Sequence, residues 1–471
     1  MDTRKILVGG NWVGAVETIN VKSPFSGDRV AEVYSADANG VLDAVSAAVE
    51  AAREMRALPR FEIAKGLRKI ASGIESRREE IARTIATESG KPLRLARGET
   101  ERAISTLSWA AGEAERFAGE VVPVDTQPVG SGKTAYTLRI PRGVIFGITP
   151  FNFPLNLVAH KVGPALASGN SIIIKPSPRT PLTSLLLGEI FLDGGLPAGA
   201  LQIVPTDVKY LDTVFSDERV AMISFTGSAP VGWDIKRRAG KKAVVLELGG
   251  NAPVIVDETA DFEQSVSRTV TGAFAYAGQV CISVQRIFVH NRLFDSWAGE
   301  FVSRAKSLQK GDPLDEDTEL SAMIDENAAK RTESWVNEAV DNGAKLLCGG
   351  TRDGATYEAT VLTDTDPEMR IVSEEVFAPV AVVERFGRFE EAVDSANNSK
   401  YGLQAGVFSN DLRNIRYGIE NLEYGGIIVN DVPTFRVDNM PYGGSKDSGF
   451  GREGVRYAME EMTEVRVAVL G

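Results

Sequence analysis

Between residues 144 and 247 the chain alternates short, almost wholly apolar runs with helical ones, and this order leaves few folds open. GVIFGIT, SIIIK, LQIV (201–204), MISFT (222–226) and VVLELG are too short for helices and too continuously apolar for a sheet with one wet face. Between them, 181–194, 208–215 and 229–239 read as helices. Such alternation predicts a parallel sheet covered by helices on both faces, as in nucleotide-binding α/β domains. A second series runs from about 251 to 436: NAPVIVD, a helix through Gly278, QRIFVH, helices over 295–308 and 326–342, then KLLCGG, AVVERF, AGVFS and GGIIVN. This predicts a second α/β domain.

The flanks differ in texture. An extended lead-in over 21–33 turns at Ser26-Gly27-Asp28, and Val41, Leu42, Val45, Ala48, Ala52 and Met55 then recur at spacings of three and four, an amphipathic helix. Residues 60–83 and 93–117 repeat the pattern, with Glu88-Ser89-Gly90-Lys91-Pro92 between them, so three helices are predicted. VVPVDT and TAYTLRIPR, separated by Gly130-Ser131-Gly132-Lys133, read as a hairpin arm. At the far end VRYAMEEM reads as a helix and TEVRVAVL as an exposed strand with no partner nearby in sequence. That predicts pairing with the arm of another subunit, hence an oligomer.

With 471 residues, the chain is about three times the ~150-residue prior for one domain. Its 43% apolar and 25% charged residues exclude disordered, collagen-like and disulfide-scaffold proteins. The net charge of −12 disfavours nucleic acid and anionic lipid as partners. No run of ~20 apolar residues occurs and the opening MDTRKILVGGNWV is not apolar, so a cytoplasmic enzyme off the membrane is expected. Two cysteines and two histidines leave no disulfide framework and no zinc-finger centre, and no metal site is predicted.

Of the cysteines, Cys281 in AYAGQVCISVQRIFVH stands in a loop between a helix and a strand, among small and amide residues that let a substrate approach. It reads either as a nucleophile, given N–H groups or a cation to stabilise its thiolate, or as a buried small hydrophobe. Glu247 lies inside the apolar run VVLELGGNAPVIV. Burial there raises a carboxyl toward the range of a general base, unless an ion pair holds it. Asn152 in PFNFPLN follows a buried strand, where its amide could serve an oxyanion or merely a turn. SFTGSAPVG places Gly227 and Gly232 as G-x-x-x-x-G around Ser228 at a helix start, a phosphate-binding geometry without the Walker lysine. Lys175 ends the strand SIIIK, where riboses sit in open α/β sheets.

Together PFNFP, KPS, FTGS, LELGG, GQVC, EEVFAP and GGSKDSGFGRE, in this order and along effectively the whole chain, resemble the aldehyde dehydrogenase superfamily. The segments around Cys281 and SEEVFAP look most like the branch with lactaldehyde dehydrogenases and nonphosphorylating glyceraldehyde-3-phosphate dehydrogenases. The resemblance implies a Rossmann-variant NAD(P)-binding domain (1–120 and 142–248), an α/β catalytic domain (249–447) and a β oligomerisation arm with the tail (121–141 and 448–471), assembled as a homodimer or homotetramer. It implies oxidation of an aldehyde to the acid through a thiohemiacetal and a thioester on Cys281. Asn152 and the Cys281 N–H would hold the oxyanion, and Glu247 would activate water. Lys175 would bind the adenosine ribose, Gly227 and Ser228 the pyrophosphate, and Glu375 the nicotinamide ribose beside Phe377. Ile148, Thr149, Pro150 and Leu248 complete the implied cofactor contacts. Glu453 matches a proton-relay position or a structural ion pair, and Cys348 remains structural.

Two departures refine this. The motif reads Lys175-Pro176-Ser177-Pro178 where many NAD-preferring members carry glutamate at the last position, so NADP is expected beside NAD, with Lys175 and Ser177 facing a 2′-phosphate and Arg179 in a solvent-facing turn. Val280 precedes the nucleophile where the nonphosphorylating glyceraldehyde-3-phosphate enzymes carry arginine, which argues against a phosphorylated aldehyde. Arg102 and Arg436 either line the substrate tunnel, favouring a small anionic or hydroxylated aldehyde, or form ordinary ion pairs. A CoA-acylating dehydrogenase, a cofactor-free hydrolase and a non-enzymatic relative are the alternatives. Glu247 speaks against the first, and the presence of Asn152, Glu247 and Cys281 together speaks against the last.

Overall fold

The apolar runs become the interior of an eight-stranded sheet in a computed structural model that describes residues 3–471. Five strands are parallel, in the order Leu201–Ile203, Ser171–Lys175, Val144–Ile148, Val220–Thr226 and Ala243–Glu247. Their neighbouring side chains face opposite cores, Ile145, Ile172 and Ile174 one way and Phe146, Ile148 and Ile173 the other, which is why the runs carry no polar alternation. Two N-terminal strands, Ile6–Val8 and Asn11–Val13, extend one edge antiparallel, and Gly449–Phe450 extends the other. The carboxyl ends of the parallel strands bring Ile148, Lys175, Thr226 and Glu247 to one rim.

The second sheet has seven strands, in the order Lys345–Cys348, Thr360–Thr363, Val380–Phe386, Val284–His290, Ala252–Val256, Gln404–Phe408 and Gly426–Val429. All its pairs are parallel except the first. Two apolar clusters flank it, so both expected α/β layers are present. Among the described residues no helix is long and apolar enough to cross a membrane.

Several expectations shift. The 60–83 stretch is two helices, Arg60–Ser76 and Arg78–Ser89, so the N-terminal helices number four. Arg77 breaks the run with φ −110° and ψ 18° and is held there by ion pairs to Glu80 and Glu189. In the first helix, Ala38–Ala57, Ala44 and Ala51 join the buried stripe while Leu42 is exposed. The helix Asn156–Ala167 went unpredicted because all twelve of its residues are buried, leaving no amphipathic period, and Pro164 lies inside it. The helix expected through Gly278 ends at Phe274.

The arm is three-stranded, Val121–Val122, Thr134–Pro141 and Thr463–Leu470. The terminal strand pairs along its full length with the arm of its own chain, from Thr463 opposite Pro141 to Leu470 opposite Thr134, rather than with another subunit's. Before it, the helix Val455–Glu461 buries Val455, Ala458 and Met459 in the first domain's core. Only the last strand of the tail therefore belongs to the arm. Among the described residues its outer edge is unpaired, with Val465, Val467 and Val469 more than half exposed.

Candidate active site

The loop carrying Cys281 is built from strained backbone. After the helix Phe262–Phe274, Tyr276, Ala277 and Gly278 all take left-handed conformations, with φ of 51°, 51° and 67°. Each non-glycine residue held so costs on the order of 1–3 kcal/mol, which the surroundings must offset. Tyr276 Oη donates to Ser89 O at 3.0 Å, and Ile324 N donates to Gln279 Oε1 at 2.8 Å. At Gly278 a β-carbon would lie 2.0 Å from Ala378 O, so no other residue fits. Cys281 emerges from this brace partly exposed, just before the strand Val284–His290.

A buried ion pair between Lys91 and Glu99 ties this loop to the one carrying Asn152. Lys91 Nζ lies 3.8 Å from the ring centre of Phe153 and 4.6 Å from that of Tyr276, while Glu99 Oε1 accepts from Leu155 N and Asn156 N at 2.9 and 3.1 Å. The amide of Asn152 then donates to Gln279 O at 2.9 Å, two residues before the cysteine. Asn152 Oδ1 is buried with no partner.

Glu247 ends its strand at 3% exposure, and neither carboxyl oxygen has a hydrogen-bond partner. Burial, helped by the negative charge of Glu453, raises its pKa well above the ordinary carboxylate range. For Glu453 burial would do the same, but Lys161 at 2.9 Å and Arg436 at 3.4 Å hold it down at about 2. Of its two readings, the ion pair is what the geometry displays.

Cys281 Sγ has one hydrogen-bond partner among the described residues, Tyr442 Oη at 3.0 Å. Burial pushes the thiol up to about 11, opposed by that bond and by the charge of Arg436. Arg436 stacks 3.6 Å above the Tyr442 ring, with 6% of its side chain exposed and its Nε buried and unpartnered. Arg102 Nη2 pairs with Asp438 at 2.8 Å, and Asp438 also receives His160 Nε2 at 2.9 Å. Both arginines expected at the substrate site thus line one polar wall, joined by the short segment 436–438, and both are ion-paired as well. Tyr442, Lys91, Glu99 and Lys161 were not anticipated. Tyr442 lies at the edge of the quoted GGSKDSGFGRE motif, which is the only trace of it in the sequence.

Of the residues expected to face the nucleotide, Ile148 and Lys175 end strands at the rim of the first sheet, and the others lie on loops. Thr149 follows Ile148 and precedes Pro150, and its hydroxyl is buried without a partner. Among the described residues Lys175 Nζ reaches only Pro176 O, at 3.4 Å, and burial lowers its pKa to about 8. Ser177 Oγ accepts from Arg179 N, whereas the Arg179 guanidinium pairs with Asp325 at 2.6 Å. Gly227 and Ser228 form the turn ahead of the helix Ala229–Arg238, with Ser228 exposed at its N-cap and its hydroxyl unused there. Leu248 is buried and donates to Ser448 O. Glu375 accepts from Gly250 N at 3.0 Å, and burial raises its pKa to about 7. A β-carbon on Gly249 would lie 2.2 Å from the same carboxylate. Phe377, left-handed at φ 51°, meets Phe151 edge-on at 5.9 Å.

The model of the aldehyde dehydrogenase family matches residues 12–468. The chain belongs to this family. As an aldehyde dehydrogenase it is an NAD(P)-dependent enzyme that oxidises an aldehyde to the carboxylic acid. It is 43% identical to 3-sulfolactaldehyde dehydrogenase of Priestia aryabhattai, over 99% of this chain and 97% of that protein. The crystal structure of aldehyde dehydrogenase 21 from Physcomitrella patens, in complex with the reaction product succinate, superposes with a TM-score of 0.98. It is 45% identical and covers 100% of this chain and 98% of its own. Glyceraldehyde-3-phosphate dehydrogenase GapN from Methanocaldococcus jannaschii, complexed with NADP, gives a TM-score of 0.92 at 39% identity, covering 96% of this chain and 98% of its own. The expected superfamily, fold and reaction class are therefore correct for this aldehyde dehydrogenase.

Proposed function

We propose that the enzyme oxidises a small aldehyde bearing an anionic tail, with Cys281 as nucleophile. The observation that carries this is Arg436, a buried guanidinium stacked on the tyrosine that touches Cys281, with an unpartnered Nε. In its wall the three cations Lys161, Arg436 and Arg102 share two carboxylates, Glu453 and Asp438, and burial raises the pKa of Glu247 well above the ordinary carboxylate range. A buried surplus cation calls for an anion. The relatives point the same way: their names give a sulfonated lactaldehyde, succinate as product and glyceraldehyde-3-phosphate. Val280 beside the nucleophile favours carboxylate or sulfonate over phosphate.

In the proposed sequence Cys281 Sγ attacks the carbonyl carbon, and the free N–H of the Asn152 amide and the Cys281 N–H receive the developing oxyanion. Bound NAD(P)⁺ would supply the hydride acceptor, with Lys175, Gly227, Ser228 and Glu375 as the residues that would hold it. Glu247, uncommitted to any hydrogen bond, takes a proton from the water that hydrolyses the resulting thioester. The chain's own residues fit the cofactor: the idle Thr149 hydroxyl, the nearly free Lys175 ammonium and the Gly227 turn stand along the rim of the first sheet, and the Glu375 carboxylate reaches the loop after Glu247 by accepting from Gly250 N. Lys175 and Ser177, with no acid at Pro178, favour acceptance of the NADP 2′-phosphate.

One kinetic panel tests substrate and cofactor together. The wild type is expected to turn over short aldehydes with a carboxylate or sulfonate tail, using NADP at least as well as NAD. Arg436→Met is expected to lower kcat/KM for these by about 10–100-fold more than for propionaldehyde, whose smaller loss reflects the support Arg436 gives to Cys281 and Tyr442. Equal losses on both aldehyde classes would refute the anion reading, and strict NAD dependence the cofactor reading.

The arm supports self-association into a dimer or tetramer, because its terminal strand presents an unpaired edge with three exposed valines. Light scattering should return a multiple of the 50.7 kDa chain mass, and a monomer at micromolar concentration would contradict it.

A further inference from the structure

Beside Cys281 lies a buried group that the proposed reaction leaves idle. Tyr442 is 3% exposed, and its hydroxyl has no hydrogen-bond partner among the described residues other than Cys281 Sγ at 3.0 Å. Its direction is fixed three times over. Its backbone exchanges hydrogen bonds with Glu453 in both senses, at 3.0 and 2.7 Å. The ring packs among Ile282 and Leu403. Arg436 covers one face at 3.6 Å, so the ring cannot turn without lifting a guanidinium that is itself held by Glu453. The phenol is thus aimed at the sulfur by the segment that carries the anion-binding arginine.

A thiol can donate or accept in such a contact, whereas a thiolate can only accept. From this, and resting on Cys281 being the nucleophile, we infer that Tyr442 is a further catalytic residue, whose phenol donates a hydrogen bond to the Cys281 thiolate and holds it until it attacks the aldehyde. The thiol proton leaves to solvent, the phenol keeps its own, and the sulfur lone pair forms the bond to the carbonyl carbon as the carbonyl electrons move to oxygen. The need for such a donor is plain, because burial drives the thiol upward and the only other favourable charge near it is Arg436. Arg436, by pinning the ring, acts as a positioning residue for the phenol in addition to its proposed contact with substrate.

The test is Tyr442→Phe, which keeps the packing and removes only the hydroxyl, with Cys281→Ala run beside it. In mildly alkaline buffer the ultraviolet absorbance of the thiolate, defined as the part that Cys281→Ala lacks, is expected to fall about tenfold in the phenylalanine variant, equivalent to a midpoint about one pH unit higher. Alkylation by iodoacetamide should slow in proportion. The loss in kcat/KM should be greatest at low pH and shrink as the pH approaches the variant's midpoint. Melting temperature and NADP affinity, which a packing defect would change, should stay at wild-type values. Unchanged thiolate absorbance and an unchanged pH profile in Tyr442→Phe would overturn the inference while leaving the nucleophile intact if Cys281→Ala is inactive. An active Cys281→Ala would instead remove the reading on which it rests.

Discussion

Replacing Cys281 by alanine is expected to lower kcat for aldehyde oxidation by at least about 10⁴-fold, with NAD(P) affinity unchanged. The size follows from the site's economy of nucleophiles. The other cysteine, Cys348, is buried in the second sheet with its thiol directed to Ala359 O, so no second thiol can take over. The variant should also fold, since the left-handed turn at 276–278 is held by Tyr276, Gln279 and the missing β-carbon of Gly278 and owes nothing to the sulfur. Stopped-flow absorbance of NAD(P)H formation checks the chemistry, and fluorescence titration the cofactor. Wild-type turnover in the variant would dismiss the whole covalent scheme.

Glu247→Gln should separate the two halves of the reaction. Hydride transfer needs Cys281, Asn152 and the cofactor, so a burst of reduced cofactor close to one per active site should survive. Hydrolysis of the thioester needs a base, so steady turnover should drop by about 10²–10⁴-fold. Rapid-mixing traces that lose the burst along with the turnover would assign Glu247 to the first step instead. The same substitution carries a stability signature. The folded protein holds a proton on Glu247 to a higher pH than the unfolded chain does, so between the two pKa values the native state binds more protons and stability falls as pH rises. Glutamine, neutral throughout, removes that slope. Its advantage in melting temperature should be absent below the ordinary glutamate pKa, grow as pH rises from there toward the folded value, and level off above it. Turnover of the wild type should rise over that same interval, because only the ionised carboxylate can accept the proton.

Much of this was legible in the primary structure because the relevant signals are local. A glutamate in an apolar strand, a cysteine between a helix and a strand, and a lysine at a strand's end announce themselves within about ten residues. What the sequence left dark depends on contacts between distant segments. Tyr442 meets Cys281 across 161 positions. Lys91 reads as part of a helix break and Glu99 as one position inside the helix over 93–117, although together they join the two loops that carry the proposed nucleophile and oxyanion amide. The helix Asn156–Ala167 was invisible for the opposite reason: burial on every side erases the periodicity by which helices are read. The terminal strand's partner was misplaced because exposure and β-propensity identify a strand without specifying which edge it joins.

The Lys91–Glu99 brace has a consequence for how the enzyme loses activity. Asn152 and Glu247 issue from one sheet, Cys281 and Glu375 from the other or its loops, and the brace comes from neither but from the N-terminal helices. The proposed catalytic centre is therefore a seam, and its competence depends on the alignment of three separate pieces of structure. Small relative slips that leave every strand and helix intact would already spread the nucleophile from its oxyanion donor, so inactivation should run ahead of unfolding.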